Sequence, residues 1–261
     1  MKTVSLGFIG GGRVTRIILQ AFKNKNAIFS KIVVADINQD VTANLKKLFP
    51  GILIENASEA ASQDIVFISL HPPVIMEALE QLKNQFKPGS VVISLAPKIT
   101  IGKIKSKLGQ EINVARLIPN ATSIINEGFN PVCFSPDFNT TEKEHVLDLL
   151  GILGNTFEVA EEKLESYAIL SAMLPTYFWF QWMELQAIGL QMGLSTDECN
   201  DSMHKTISAA MNLLFGSGLT PEQVMDLIPV KPIGENQSQI SEIYQTKLMG
   251  LFEKIKPIQT H

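Results

Sequence analysis

Strand-like apolar runs alternate with helical patterns over the first 160 residues, and this alternation constrains the fold more than any other feature. The run 4–9 is typical of a strand, and apolar residues then recur at helical spacing from Val14 to Phe22. The run 65–70 is nearly all apolar, as in a strand buried on both faces. This alternation predicts an α/β fold in which a parallel sheet carries helices on both faces. The other predicted strands are 32–35, 52–54, 91–95, 113–118, 132–134 and 156–159, and a further helix is predicted over 142–153.

The pattern changes after residue 158. From Lys163 onward the sequence shows only helical patterns, which are interrupted at Pro175 and Gly193. A chain of 261 residues is long enough for two domains. We therefore expect an α/β domain at 1–158 and an all-helical domain at 159–261. Apolar side chains are dense over 178–188, which predicts that the helical domain forms a homodimer or a higher oligomer.

Composition argues against several kinds of partner. The 22 basic and 26 acidic residues leave no excess of cations for a phosphate backbone, so we expect no nucleic-acid partner. The two cysteines, Cys133 and Cys199, lie far apart, which argues against a disulfide framework and a thiolate zinc site. We expect both to be reduced thiols in the cytoplasm, and the histidines show no metal-binding spacing, so no metal is predicted.

No membrane partner is expected either. Glycines interrupt the apolar run at the N-terminus, which does not read as a signal peptide. The stretch 167–183 carries no charge, but Pro175 and Gln181 interrupt its apolar pattern. We interpret it as a buried helix rather than a membrane span.

Three consecutive glycines follow the first predicted strand and open the first helix. Gly10 permits a tight turn, and Gly12 lets the backbone approach a pyrophosphate without a Cβ clash. Gly11 lies between them, and Thr15 completes a variant of the dinucleotide fingerprint, whose last position is normally Gly or Ala. Arg13 adds a partner for phosphate. A plain turn is the alternative, but the position between strand and helix predicts a Rossmann dinucleotide-binding domain.

Asp36 ends the second predicted strand, where a carboxylate can accept hydrogen bonds from the ribose hydroxyls of an adenosine. It would repel a 2′-phosphate by at most roughly 4 kcal/mol, or about a thousandfold in affinity. Asp36 therefore favours NAD over NADP as the cofactor, and Arg13 could reverse that preference. The alternative role for Asp36 is that of a helix N-cap.

The segment 7–14, GFIGGGRV, resembles the opening of pyrroline-5-carboxylate reductase, whose motif reads GFIGGGNM. Four further motifs of that family follow in the same order, and the similarity runs from residue 3 to about residue 215. His71 replaces a lysine of the family in the second motif. These four motifs lie at Ser69-Leu70-His71-Pro72, at Arg116 to Asn120, at Asn126-Glu127-Gly128, and at Leu170-Ser171 with Pro175-Thr176-Tyr177.

The resemblance implies a Rossmann domain followed by an all-helical dimerisation domain. It implies hydride transfer from NAD or NADP to the C=N bond of a small cyclic imine, as in proline biosynthesis. Asn120 could fix the nicotinamide or the substrate, although asparagine is also common in turns. Besides Asn120, Asp36 and Arg13, the expected cofactor contacts are Gly10, Gly11, Gly12, Val14, Asn56, Leu70, His71, Pro72, Ala96 and Pro97.

Departures from the family lie in its substrate motifs and favour a changed substrate. Where the family has S-G-S-G-P, this chain reads SAMLP over 171–175. Where the family has P-G-G-T-T, this chain reads PIGEN over 232–236, so Glu235 places a negative charge where a carboxylate should dock. Glu235 would instead stabilise an iminium cation, or it is simply an exposed loop charge. The candidate catalytic groups are Ser171, Thr176, Tyr177, Glu235 and Asn236.

Two other functions stay open from the sequence. A family with a similar N-terminal domain moves hydride between NADP and a deazaflavin, and it needs a broad pocket for the second cofactor. A nucleotide-binding regulatory protein could keep the Rossmann fold and lose the active site, because fold alone does not determine function.

Overall fold

The structure, a computed structural model, describes residues 3–257. In this part of the chain, eight strands form one sheet of order β3-β2-β1-β4-β5-β6-β7-β8. The strands are β1 (Ser5–Ile9), β2 (Lys31–Ala35), β3 (Leu53–Ile54), β4 (Ile65–Ile68), β5 (Val91–Ser94), β6 (Asn113–Leu117), β7 (Gly128–Phe134) and β8 (Gly154–Glu158).

Helices cover both faces of this sheet, as the alternating pattern predicts. Two separate clusters of buried apolar side chains result, one containing Val33 and Val66 and the other containing Phe8 and Phe67. The rings of Phe8 and Phe67 stack with their centroids 4.7 Å apart on neighbouring strands. The helices between the strands are α1 (Arg13–Asn24), α2 (Gln39–Leu48), α3 (Ala57–Ala61), α4 (Pro72–Leu82), α5 (Ile101–Leu108) and α6 (Thr140–Gly151).

The expectation of an all-parallel sheet is wrong at β7, which runs antiparallel to β6. The chain between these strands holds one 3-10 turn, Ala121–Ile125. A parallel return needs a crossover of about a dozen residues or more, usually a helix, and this connection is too short for one. The six strands from β3 to β6 remain parallel, so their carboxyl ends lie at one edge of the sheet.

After β8 the chain is helical throughout the described residues. It separates into two compact units, one ending at Met173 and resuming at Phe252, the other spanning Leu174–Leu251. The sequence places the boundary after residue 158, whereas the units divide after Met173, and residues 1–2 and 258–261 of the predicted domains lie outside the described residues. The helices are α7 (Leu164–Tyr167), α8 (Leu174–Gln191), α9 (Thr196–Gly216), α10 (Pro221–Asp226) and α11 (Gln237–Ile255), with a π-helical turn at Ala168–Ala172.

The interpretation of 167–183 as a buried helix is wrong for the single chain. Gly189 is the buried residue of α8, while Phe180 and Met183 are 66% and 72% exposed. Apolar side chains cover the helix all round, so two helical neighbours in the same unit cannot bury them all. Across residues 3–257, no helix is both long and apolar enough to cross a membrane.

Cys133 on β7 should be inert in the native protein. The thiol is 2% exposed, and burial, assisted by Glu161, raises its pKa to about 12. Thiolate is the reactive form, so Ellman's reagent should label Cys133 only after unfolding. Because the unfolded thiol ionises near pH 9 and the folded thiol does not, the free energy of unfolding should fall as the pH rises above about 9. Urea titrations of Cys133→Ala should show a flatter alkaline decline, and an identical decline would contradict this assignment.

Candidate functional site

The glycine turn lies at the carboxyl end of β1, at the edge where parallel α/β sheets bind ligands. Gly10 has φ +102°, and its N–H donates to the carbonyl of Ala35 over 2.8 Å. A Cβ on Gly10 would lie 2.5 Å from the carbonyl oxygen of Ser69, so only glycine fits there. The buried Thr15 hydroxyl donates to the Gly10 carbonyl over 2.6 Å. The threonine that departs from the usual fingerprint thus stabilises the turn.

Gly12 faces open space. It caps α1 with φ −68°, an ordinary value, and a Cβ built on it would meet no heavy atom within 4 Å. No side chain caps this end of α1, so its first N–H groups and the positive end of the helix dipole are available to an anion. The residues therefore fit a diphosphate at the start of α1.

A cavity of about 910 Å³ opens beside this turn. Five of the residues predicted to contact the cofactor line it: Gly11, Gly12, Arg13, Val14 and His71. Three further polar residues, which the sequence analysis missed, also line it: Arg16 from α1, and Asn44 and Lys47 from α2.

Three cations, Arg13, Arg16 and Lys47, give this cavity a positive lining. Arg16 lies three residues after Arg13 on one helix, so their shared face could have been found from the spacing. Lys47 comes from another helix, and only the packing of α2 beside α1 brings it there. The lining suits an anionic ligand of dinucleotide size.

Asp36 contacts the glycine turn directly. Its Oδ2 accepts from the Gly11 N–H over 2.7 Å, and its Oδ1 accepts from the Asn38 N–H over 2.8 Å. The N-cap of α2 is Asn38, so the alternative role of Asp36 as a helix cap is not observed. The carboxylate sits beside the turn, where it can also meet a ribose.

The turns after β4 and β5 hold the next group of predicted cofactor contacts. His71 is the N-cap residue of α4 and lines the cavity, and Pro72 is the first residue of that helix. Leu70 is half-buried, Ala96 is buried and Pro97 is half-buried. Strands β1, β4 and β5 are neighbours, so these turns lie along one edge of the sheet. Their contacts with a cofactor stay a prediction.

Two predicted asparagines have structural roles in this chain. Asn56 is the N-cap of the short helix α3, and its Oδ1 accepts from the Glu59 N–H over 3.0 Å. Asn120 is 5% exposed, accepts from the Thr122 N–H and donates to the Ser171 carbonyl over 3.0 Å. The side chain of Asn120 thus joins two backbone segments, and its contact with a cofactor or substrate stays a prediction.

The five candidate catalytic residues do not form one cluster within either unit. Ser171 belongs to the first unit, and its hydroxyl donates to the Tyr167 carbonyl over 2.7 Å. Thr176 and Tyr177 begin α8 and line a cavity of about 510 Å³ in the second unit. Glu235 and Asn236 are exposed in a 3-10 turn, Gly234–Asn236.

Tyr177 is the candidate whose acidity the structure alters. Burial raises the pKa of its phenol, with a smaller effect from Tyr244, whose ring centroid is 6.2 Å away. The phenol therefore keeps its proton at neutral pH.

Within the described residues, no group of three or more His, Cys, Asp or Glu side chains could hold a metal ion.

The sequence analysis missed a buried cluster of charged side chains, which joins β6 to the segment after β8. Arg116 on β6 is wholly buried, and its guanidinium binds Glu165 at 2.5 Å and Glu161 at 2.9 Å. Burial alone would lower the pKa of Arg116, but Glu165 and Glu161 outweigh it and raise the pKa. The sequence marks Arg116 only as part of a motif, and no spacing connects it to residues far along the chain.

The sequence of this chain is similar to those of known oxidoreductases. A family model described as NADP oxidoreductase coenzyme F420-dependent matches residues 5–98. The pyrroline-5-carboxylate reductase of Corynebacterium melassecola is 24% identical over 97% of this chain and 94% of that protein. That of Pseudomonas aeruginosa is 21% identical over 97% of this chain and 93% of that protein. The chain is therefore similar to the pyrroline-5-carboxylate reductases over nearly its whole length.

Solved structures agree on the fold. The pyrroline carboxylate reductase of Plasmodium falciparum, with NADP bound, aligns with a TM-score of 0.77 at 21% identity, covering 98% of this chain and 96% of that one. The enzyme of Streptococcus pyogenes aligns with a TM-score of 0.76 at 18% identity, covering 98% and 97%. The predicted α/β fold, a Rossmann domain followed by a helical domain, is confirmed.

Proposed function

We propose that this protein is an NAD(P)-dependent reductase that transfers hydride to the C=N bond of a small cyclic imine. The observation that carries the proposal is the open space at Gly12, which adjoins the start of α1 and a cavity lined by three cations. The named relatives support the reductase class over nearly the whole chain. The deazaflavin alternative is not favoured, because the family model that mentions that coenzyme matches residues 5–98 only.

Hydride comes from the reduced nicotinamide when it is bound, and the protein has to orient the reactants and keep water away. The imine nitrogen needs a proton or a hydrogen bond. We propose Tyr177 for this task, because it lines the cavity of about 510 Å³ and its phenol, like an ordinary tyrosine, is protonated at neutral pH and can donate a hydrogen bond. Ser171, Thr176, Glu235 and Asn236 remain the other candidates. Because Glu235 is an exposed acid in the altered motif, we propose a substrate that carries an amino or other cationic group rather than a lone carboxylate.

The deciding experiment is oxidation of NADH and NADPH with a panel of cyclic imines. The panel contains pyrroline-5-carboxylate, an imine without a carboxylate and an imine with an amino group. We expect turnover, with pyrroline-5-carboxylate below the amino-bearing imine. Efficient turnover of pyrroline-5-carboxylate would assign the protein to proline biosynthesis. Fluorescence titration runs in parallel: failure to bind either dinucleotide at millimolar concentration overturns the proposal, and binding without turnover favours a regulatory protein.

For the cofactor we propose a preference for NAD, because the Asp36 carboxylate lies at the glycine turn. Asp36→Asn removes the repulsion of a 2′-phosphate, so the ratio of the NADPH to the NADH dissociation constant should fall by about tenfold or more, within the thousandfold bound above. Arg13→Gln should raise the same ratio, because it removes a cation from the cavity lining.

Fluorescence titration of both variants with both dinucleotides measures this ratio. Asp40→Asn is the matched control, since Asp40 is an exposed acid in the first turn of α2 and should leave the ratio unchanged. An unchanged ratio in Asp36→Asn would show that Asp36 does not face the adenosine ribose.

We further propose that the protein is a cytoplasmic homodimer formed through its helical part. The cytoplasmic location rests on the two buried free cysteines, which suit a reducing compartment. The dimer rests on large exposed apolar side chains in the second unit. These include Phe180, Met183, Met192, Phe215, Ile228 and Met249.

Phe180→Asp should dissociate the dimer. An aspartate within an apolar interface would be buried without a partner, which is costly enough to separate the subunits. Analytical ultracentrifugation should give a dimer for the wild type and a monomer for the variant. Ile28→Asp is the control, because Ile28 is 80% exposed in the first unit. A monomeric wild type would contradict the prediction.

A further inference from the structure

Lys98 has a backbone conformation that its residue type disfavours. Its φ is +73°, and the other described non-glycine residues with positive φ are asparagines, Asn26 and Asn126. Asparagine tolerates the left-handed region, whereas a long side chain such as lysine is disfavoured there. Some interaction must therefore hold Lys98 in place.

Two carboxylates hold the segment that contains Lys98. The Lys98 N–H donates to Glu165 Oε1 over 3.0 Å, and the Ile101 N–H donates to Glu161 Oε1 over 2.7 Å. Both acids follow β8, far from Lys98 along the chain. Arg116 donates to the same two oxygens and balances one of the two negative charges, so the clamp is a charged, largely buried unit.

The clamped segment follows β5 at the edge of the sheet that carries the glycine turn. Strand β4 lies between β1 and β5, and its end contributes Ser69 and His71 to the cavity. Ligands of open α/β sheets bind outside the carboxyl ends of the strands. The 96–98 turn therefore lies at the same sheet edge as the cavity, next to the end of β4 that supplies two of the cavity's lining residues.

We propose that Glu165, supported by Arg116 and Glu161, is a positioning residue that holds the 96–98 turn in its ligand-binding conformation. Glu165 does this through the hydrogen bond that it accepts from the Lys98 N–H, which keeps the Lys98 backbone in the left-handed conformation. This inference rests on the proposed dinucleotide site. Without this hydrogen bond the backbone at Lys98 leaves its left-handed conformation. NADH can then bind only to the small fraction of molecules that return to that conformation, which weakens the measured affinity. The dissociation constant for NADH should then rise about five- to thirtyfold, the factor expected from the usual cost of a left-handed residue.

Paired substitutions at Lys98 test the inference without touching the buried charges. Lys98→Gly and Lys98→Val both remove the cation, but glycine accepts a positive φ and valine does not. We expect Lys98→Val to bind NADH about five- to thirtyfold more weakly than Lys98→Gly. Equal affinities for the two variants would overturn the inference. Asn26→Gly and Asn26→Val are the matched control pair, because Asn26 also has a positive φ but lies after α1, and their affinities should not differ.

Rescue tests the part played by Glu165. Glu165→Asp keeps the charge opposite Arg116 but draws the oxygen away from the Lys98 N–H, so NADH should bind more weakly and the Tm should fall. Adding Lys98→Gly should restore the NADH affinity but not the Tm, a split that a purely structural role would not produce. Loss of affinity without rescue overturns the inference and leaves the proposed function standing. A wild type that binds neither dinucleotide overturns the proposed function itself.

Discussion

Gly12→Val should bind NADH and NADPH at least about a hundredfold more weakly than the wild type, equivalent to about 2.7 kcal/mol. The side chain would fill the space at the start of α1 that the diphosphate needs. The fold should tolerate the change, because Gly12 has an ordinary φ of −68° and its Cβ would meet no protein atom within 4 Å.

Fluorescence titration and thermal unfolding of the same samples separate the two effects. Gly51→Val is the matched control. A Cβ on Gly51 also meets no heavy atom within 4 Å, but Gly51 lies before β3 and not in the glycine turn. It should bind both dinucleotides normally. Gly10→Ala should instead reduce stability, because its Cβ would clash with the Ser69 carbonyl. Normal cofactor affinity in a folded Gly12→Val variant would contradict the assigned place of the diphosphate.

The local parts of this fold could be predicted from sequence because short-range patterns determine them. The expected tight turn follows β1, with Gly10 at positive φ, and the apolar run 65–70 contains the buried strand β4. The direction of β7 was missed because the predicted strand began at residue 132, which left about a dozen residues for a crossover, whereas β7 begins at Gly128. The failure at α8 has another cause: its apolar side chains predict burial, and a single chain does not supply the partner surface.

In the candidate site, too, the sequence predicted the residues that belong to local motifs and missed those whose place depends on packing. Gly12, Arg13 and His71, which are predicted to contact the cofactor, line one cavity, because each belongs to a motif next to a strand end. Lys47 was missed, because its place depends on how α2 packs. The hydrogen bonds of Asn120 to Thr122 and Ser171 could not be predicted either, because Ser171 lies far along the chain.

Arg116→Met should destabilise the protein by about 3–5 kcal/mol, the cost of leaving a buried charge without its partner. Glu165 is 1% exposed and would lose the guanidinium that neutralises it. The cluster is also imperfectly satisfied: among the described residues, Arg116 Nε and Glu165 Oε2 are buried without a hydrogen-bond partner. Removing both charges should therefore cost less than the sum of the two single changes.

Urea unfolding of Arg116→Met, Glu165→Leu and the double variant measures this coupling. We expect the double variant to fall short of additivity by roughly 1–3 kcal/mol, since the two residues share one network. The control is the pair of Lys143 and Glu158, whose side chains are 29% and 46% exposed. Lys143→Met should cost less than about 1 kcal/mol, because water solvates the remaining carboxylate. Additive losses at Arg116 and Glu165 would mean that the two charges do not depend on each other, and the clamp on Lys98 would then lack its electrostatic support.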